Sequence, residues 1–294
     1  IISAYFLLTI AFWSIFLIII PQLYMLDLSF KPGSVGTQQG VSMENIYTLE
    51  NYHHFFFGSE ASSGTFNTVD MGIFFNTIFI SVIVTILNLA ICYPIAFYIA
   101  KVATGSRARL FILALIVPFW INELLRAFAF RILFANNGAV NNALVQNNII
   151  DNPIDFISAD LALYAGLTYA YMLLMIFPLY NAIESLDISQ IEASEDLGAS
   201  TFKTHFRVVI PYAKPGIVSG CTMVFMLSAG ALATPYILSS VSTMWFTQLI
   251  YQWFHLNNDW ARGSAYSWIL LLSLIHISEP TRPRLISYAV FCLK

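Results

Sequence analysis

Long apolar stretches separated by short polar ones set the pattern of this chain. A hydrocarbon layer about 30 Å thick needs roughly 20 predominantly apolar residues in a helix to cross it. Five stretches reach that length, about Ile1–Leu23, Gly72–Ala100, Leu110–Phe134, Leu161–Leu179 and Pro215–Leu238, and a sixth begins near Gly263. Proline lacks the N–H that continues a helix, so Pro21 is expected to end the first stretch, whereas Pro94 falls near the end of the second and Pro118 inside the third. The predicted fold is all-α, a polytopic membrane protein of six spans with the sixth truncated. The fifth stretch is rich in small residues, Gly216, Ser219, Gly220, Ser228, Gly230 and Ala231, which let neighbouring helices approach closely.

The polar connections alternate in charge. Residues 24–71 carry Asp27, Glu44, Glu50, Glu60 and Asp70 against Lys31, and the second stretch runs into Lys101, Arg107 and Arg109. The Asn-rich connection after the third stretch has Asp151 and Asp155 and no Lys or Arg, and the polar segment after the fourth has Lys203, Arg207 and Lys214. Positive loops stay on the cytoplasmic side. Residues 101–109 and 186–214 are therefore expected inside with the N-terminus, and 24–71 and 239–262 outside.

The most structured polar segment is 186–211, LDISQIEASEDLGASTFKTHFRVVIP. Ser189 followed by Glu192 has the spacing of a capping box and predicts a helix start. Gly198 can close that helix with a positive φ, and Ser200 can cap a second helix bearing Phe202, Phe206 and Val209 on one side. The segment predicts a helix-turn-helix elbow on the membrane surface. Its spacing resembles the EAA loop of bacterial ABC-importer permeases: Glu192, Ala193, Gly198 and Pro211 match, while Ser194, Val208 and Ile210 are conservative departures. Within that family the chain is most similar to permease subunits of spermidine/putrescine importers. TLENYHHFF, YPIAFYIAK, VPFWINELLRAF, PLYNAIESLD and NNDWARGSA carry that resemblance across residues 1–271. Related permeases import iron, sulfate, thiamine or opines.

The resemblance implies a bacterial plasma (inner) membrane subunit without a cofactor of its own. Its partners would be membrane lipid, a second permease, a dimer of ABC ATPases that bind the ATP, and an extracytoplasmic solute-binding protein. Glu192, Ala193, Ser194, Gly198 and Pro211 would meet the ATPase.

Composition agrees with a membrane class. The 294 residues are 58% hydrophobic and 10% charged, with a formal net charge of -3 and mean hydropathy of +0.73, far from a soluble globular balance. No basic run points to nucleic acid. Cys92, Cys221 and Cys292 are far apart and read as small apolar side chains. His53 and His54 beside Phe55, Phe56 and Phe57 read as an interfacial or packing cluster rather than a metal site. The chain has no Walker A, HExxH or Gly-x-Ser-x-Gly motif, so no catalytic or metal residue is predicted and a membrane-embedded enzyme is the weaker alternative.

Ionisable residues in a span are costly and usually face a bundle interior or a water-filled path. Glu123, Arg126 and Arg131 fall in the third stretch. Glu123 and Arg126, three residues apart, share a face on a helix and can pair. Flexible polyamines with several ammonium groups suit carboxylates and aromatic faces. The candidate translocation-path residues are Trp120, Glu123, Arg126, Tyr169 and Tyr236, with Tyr164 and Tyr171 also aromatic and nearby.

The transmembrane domain is expected to cover 1–271. From Leu272 the chain reads LSLIHISEPTRPRLISYAVFCLK, which resembles a translated sequencing adapter, so 272–294 is expected to be non-native and to carry no function.

Overall fold

The computed structural model describes residues 2–33, 47–58, 66–103, 105–240 and 242–278. Glu44, Glu60 and residues 279–294 of the tail, Cys292 among them, lie outside the described residues. All regular structure among the described residues is helical.

Among the described residues four helices are long and apolar enough to cross a membrane: Tyr5–Ser29, Thr68–Val102, Leu161–Glu184 and Thr201–Ala229. The pair Ser106–Trp120 and Glu123–Leu133, bent by 94°, makes a fifth if counted as one span. The helix expected near Gly263 runs from Trp260 to Ser278, so it starts earlier and continues past Leu272. Its first turns carry Trp260, Arg262, Gly263 and Ser264. Within the described residues it is not among the four or five apolar spans.

Two prolines behave differently from expectation. Pro21 does not end the first helix, which continues to Ser29. A π turn at Ile15–Ile19 lies just ahead of it, and another at His205–Val209 lies just ahead of Pro211. The wider turn relieves the clash between the proline ring and the preceding turn's carbonyl, so the helix carries on. Pro118 has the opposite outcome. The third stretch breaks into Ser106–Ile116, a 3₁₀ turn at Val117–Trp120 and a new helix at Glu123–Leu133. Asn122 begins that helix, its Oδ1 accepting from Leu124 N at 2.8 Å. The fifth stretch ends at Ala229 rather than Leu238, with a separate short helix at Ala233–Leu238.

The described chain forms two bodies. In the first, the described residues of 1–74 with 246–277, Phe55, Phe74, Phe246 and Tyr266 make a cluster of edge and stacked ring contacts. In the second, the described residues of 75–245 with Ser278, Leu161–Glu184 is the central helix. Leu163, Leu167, Met175, Leu179 and Ile183 on it have no exposed surface, and the helix Ile210–Ala229 packs along it. A Cβ added at Gly216 would lie 2.4 Å from the Pro178 carbonyl oxygen, and one at Gly220 2.8 Å from Met175 Sδ. The small residues read in the sequence thus bring two backbones together. Cys92 is buried and Cys221 half-buried in the same body.

Candidate functional site

The elbow forms as two helices, Ile188–Asp196 and a second beginning at Thr201. Its first cap is not the Ser189–Glu192 box. Asp187, in extended conformation, caps the helix instead, its Oδ1 accepting from Ser189 N at 3.0 Å. This backbone N–H holds the Asp187 carboxyl below the usual aspartate range. Starting two residues earlier puts Ser189 inside the helix and leaves Glu192 exposed.

Gly198 has φ +76° and closes the helix, its N–H donating to the Glu195 carbonyl at 2.8 Å. Ser200 stands at the start of the second helix but makes no side-chain capping bond. Ser194, a departure from the second alanine of the motif, shares a 3.0 Å hydrogen bond with Thr204 Oγ1 and so joins the two helices.

The second elbow helix does not stop at Pro211. It runs unbroken from Thr201 to Ala229, so the elbow and the fifth span are one rod. The π turn shifts the helical phase, and Phe202, Phe206 and Val209 no longer share a face. Phe202 and Phe206 pair at 4.6 Å and remain exposed, while Val209 is fully buried. Leu197, 90% exposed, and Phe202, 74% exposed, stand beside Gly198 and the exposed Glu192 and Ala193. This is a polar surface with apolar knobs, suited to a protein partner.

Contacts of Tyr93, Phe97 and Lys101, missed in the sequence, tie the elbow to the second span. Tyr93 Oη and His205 Nδ1 are 2.8 Å apart, and the Phe97 ring meets the His205 ring at 4.4 Å. Lys101 Nζ donates to the carbonyl oxygens of Glu184 and Leu186. Lys101 is therefore a helix-end clasp as well as a loop charge.

The broken third span gathers the ionisable candidates differently from expectation. Glu123 does not pair with Arg126: among the described residues no ion pair joins them. Glu123 Oε1 instead accepts from Thr234 Oγ1 at 3.1 Å, and Arg131 donates to the Ile237 carbonyl. The carboxylate thus sits in the first turns of Glu123–Leu133 and Ala233–Leu238, and the guanidinium in their last turns. Both placements oppose the helix dipoles. Arg126 lies over the rings of Phe119 and Tyr169, 5.7 Å from each centroid. Of the other path candidates, Trp120 is 85% and Tyr236 66% exposed, while Tyr164 and Tyr171 are half-buried.

In the first body, the histidine pair belongs to packing, as read. Tyr266 Oη donates to Asp70 Oδ2 and lies 3.0 Å from His54 Nδ1. Asn67 Nδ2 also donates to Asp70 Oδ2, at 2.8 Å. His53 stacks on Phe57. Burial first, then the Arg262 charge, holds the His54 imidazole below the usual histidine range.

No family model matches the chain. Among curated proteins it is similar to the spermidine/putrescine transport system permease protein PotB of Haemophilus influenzae, 34% identical over 259 residues, 87% of this chain and 84% of that protein. PotB of Escherichia coli is 30% identical over 260 residues, 88% of this chain and 89% of that protein. The inner membrane ABC transporter permease protein YdcU of Escherichia coli is 28% identical over 184 residues, 59% of each chain. In fold it matches a bacterial alginate ABC transporter, solved in complex with a periplasmic protein carrying an alginate pentasaccharide. That likeness has a TM-score of 0.71 at 15% identity, over 96% of this chain and 94% of that one. Taken with the elbow and the all-helical, multi-span architecture, these relationships establish that the chain belongs to the PotB family of ABC-importer permeases, the non-catalytic membrane subunits of such transporters.

Proposed function

We propose that this permease carries polyamines, spermidine or putrescine, across the bacterial inner membrane, powered by ATP that a partner ATPase dimer hydrolyses. The observation that carries the cargo assignment is the 34% identity with PotB over 87% of the chain. A second permease subunit completes the path, and an extracytoplasmic solute-binding protein delivers the cargo. The N-terminus, residues 101–109 and the elbow face the cytoplasm, following the basic charge of those loops.

The elbow is the coupling element in this reading. Glu192, Ala193, Ser194, Gly198 and Pro211 shape or border its outer surface, and ATPase closure moves that surface. The rod Thr201–Ala229 carries the movement into the bilayer. Trp120, Glu123, Arg126, Tyr169 and Tyr236 line the path, where the break in the third span gives irregular backbone a role at membrane depth. Residues 272–294 are foreign to the permease in the same reading, and resequencing the source locus checks that.

Uptake tests the proposal. The permease, reconstituted in proteoliposomes with its second permease, ATPase and binding protein, should accumulate labelled spermidine or putrescine only with ATP inside and binding protein outside. Accumulation of iron, thiamine, sulfate or an opine in place of polyamines would overturn the cargo assignment.

A further inference from the structure

We propose that the ring faces of Phe119 and Tyr169 form a cation cage in which Arg126 is an internal placeholder, displaced by an ammonium group of the cargo. The identity of that cargo rests on the polyamine reading above; the cage rests on geometry.

Three separate segments build it. Phe119 lies in the 3₁₀ turn after Pro118, Arg126 on the helix that follows the break, and Tyr169 on the central helix Leu161–Glu184. The guanidinium carbon is 5.7 Å from both ring centroids, inside the about 6 Å range over which a ring quadrupole attracts a cation. Among the described residues no carboxylate comes within ion-pair distance of Arg126, and the nearby Glu123 is engaged by Thr234. A cation held by rings alone can leave without stranding a buried carboxylate, which would be costly. Exchange with another cation keeps both rings satisfied.

The space around the cage favours exchange over joint occupancy. The cavity bounded by Pro118, Phe119, Arg126, Tyr169 and Met172 has a volume of about 40 Å³, room for about one water molecule. A second cation enters only as Arg126 leaves. Tyr169 and Met172 also border a groove of about 350 Å³ that continues past Tyr164, Phe130, Leu87 and Ile91. That volume is at the lower end of the roughly 300–1,000 Å³ of small-molecule clefts. Its lining is mostly apolar and suits a methylene stem. Thr168 also lines it, 8% exposed, and its hydroxyl has no hydrogen-bond partner. By contrast Ser81, Thr85 and Ser267 bond to the carbonyl one turn back. A cationic head in the cage, a methylene chain along the groove and a hydroxyl beside it describe a site for a linear diamine or its longer homologues.

Equilibrium binding to the assembled transporter in nanodiscs, without the solute-binding protein, tests this with radiolabelled putrescine and, separately, tetramethylammonium. Arg126→Met should bind both about five-fold more tightly than wild type, because the placeholder is gone. Arg126→Lys, still cationic, should stay within about two-fold of wild type. Adding Tyr169→Leu to Arg126→Met should abolish the gain. No gain for either ligand in Arg126→Met, or a gain that survives Tyr169→Leu, overturns the cage and leaves Arg126 a packing residue. A gain for tetramethylammonium alone overturns the diamine as the ligand. ATP-driven putrescine uptake by the wild-type transporter reports separately on the polyamine reading, so the two failures are distinguishable.

Discussion

Tyr93 and His205 stand 112 residues apart in sequence and 2.8 Å apart in space, one near the end of the second span and the other in the π turn of the elbow rod. A displacement of the elbow therefore reaches the second span through a hydrogen bond and a ring contact, as well as through the rod's own backbone. Tyr93→Phe removes the bond and keeps the ring. A net loss of about 1 kcal/mol is expected, so the variant should assemble with the ATPase at wild-type levels but transport more slowly. Uptake at wild-type rate by an equally abundant variant would mean that the rod alone carries the motion.

Gly216 should be intolerant of any side chain. A Cβ there meets the Pro178 carbonyl oxygen at 2.4 Å and the Ala182 Cβ at 2.5 Å. The backbones must part, at a cost of about 1–3 kcal/mol. Gly216→Ala is expected to lower the thermal midpoint of the purified protein, and Gly216→Val to lower it further. Gly72 has nothing within 4 Å of an added Cβ, so Gly72→Ala should leave the midpoint near wild type.

The His54 imidazole, half-buried, faces Arg262, Asp70, Asp259 and Glu50, and its folded pKa lies below the usual value of 6.5. The unfolded chain therefore takes up the proton first as the medium acidifies. Stability is full above about pH 6.5 and falls as pH drops from there towards the depressed folded value. His54→Asn retains a donor towards Tyr266 and cannot titrate. Its thermal midpoint should show less decline between pH 7.5 and 5 than wild type; an equal decline in both would assign the acid sensitivity to other groups.

How much of this was legible in the sequence depended on the range of the interaction. The first, second and fourth spans follow from apolar length, and Gly198 was legible because a positive φ at a helix end selects glycine locally. Pro21 misled, because a π turn absorbs a proline without leaving a distinct sequence signal. The break in the third span had a local signal, Asn122 followed by Glu123, the cap and acidic first turn of a new helix. An apolar window spanning Pro118 concealed it. At the elbow the capping-box spacing pointed to Ser189, but Asp187 two residues earlier caps the helix. Tyr93 with His205, Glu123 with Thr234 and Arg131 with Ile237 are tertiary pairs. Helical periodicity contains no trace of them.

The topology proposed above rests on loop charge alone and can be read by labelling. A cysteine replacing the exposed Ser106 should react with an impermeant thiol reagent only from the cytoplasmic side, and one replacing the exposed Leu49 only from outside. Equal external labelling of both would contradict the assigned topology.

Gly198 offers the most direct measurement of the central claim, that the elbow couples ATPase closure to transport. An added Cβ there meets nothing within 4 Å, so the cost of a side chain comes from the backbone, held at φ +76°. That cost is about 1 kcal/mol or more. Gly198→Val should re-aim Glu192, Ala193 and Leu197 while leaving the buried contacts of the spans intact. In the assembled transporter the account predicts wild-type membrane abundance, reduced ATPase co-purification and loss of polyamine uptake. Full uptake with undiminished ATPase binding would contradict it.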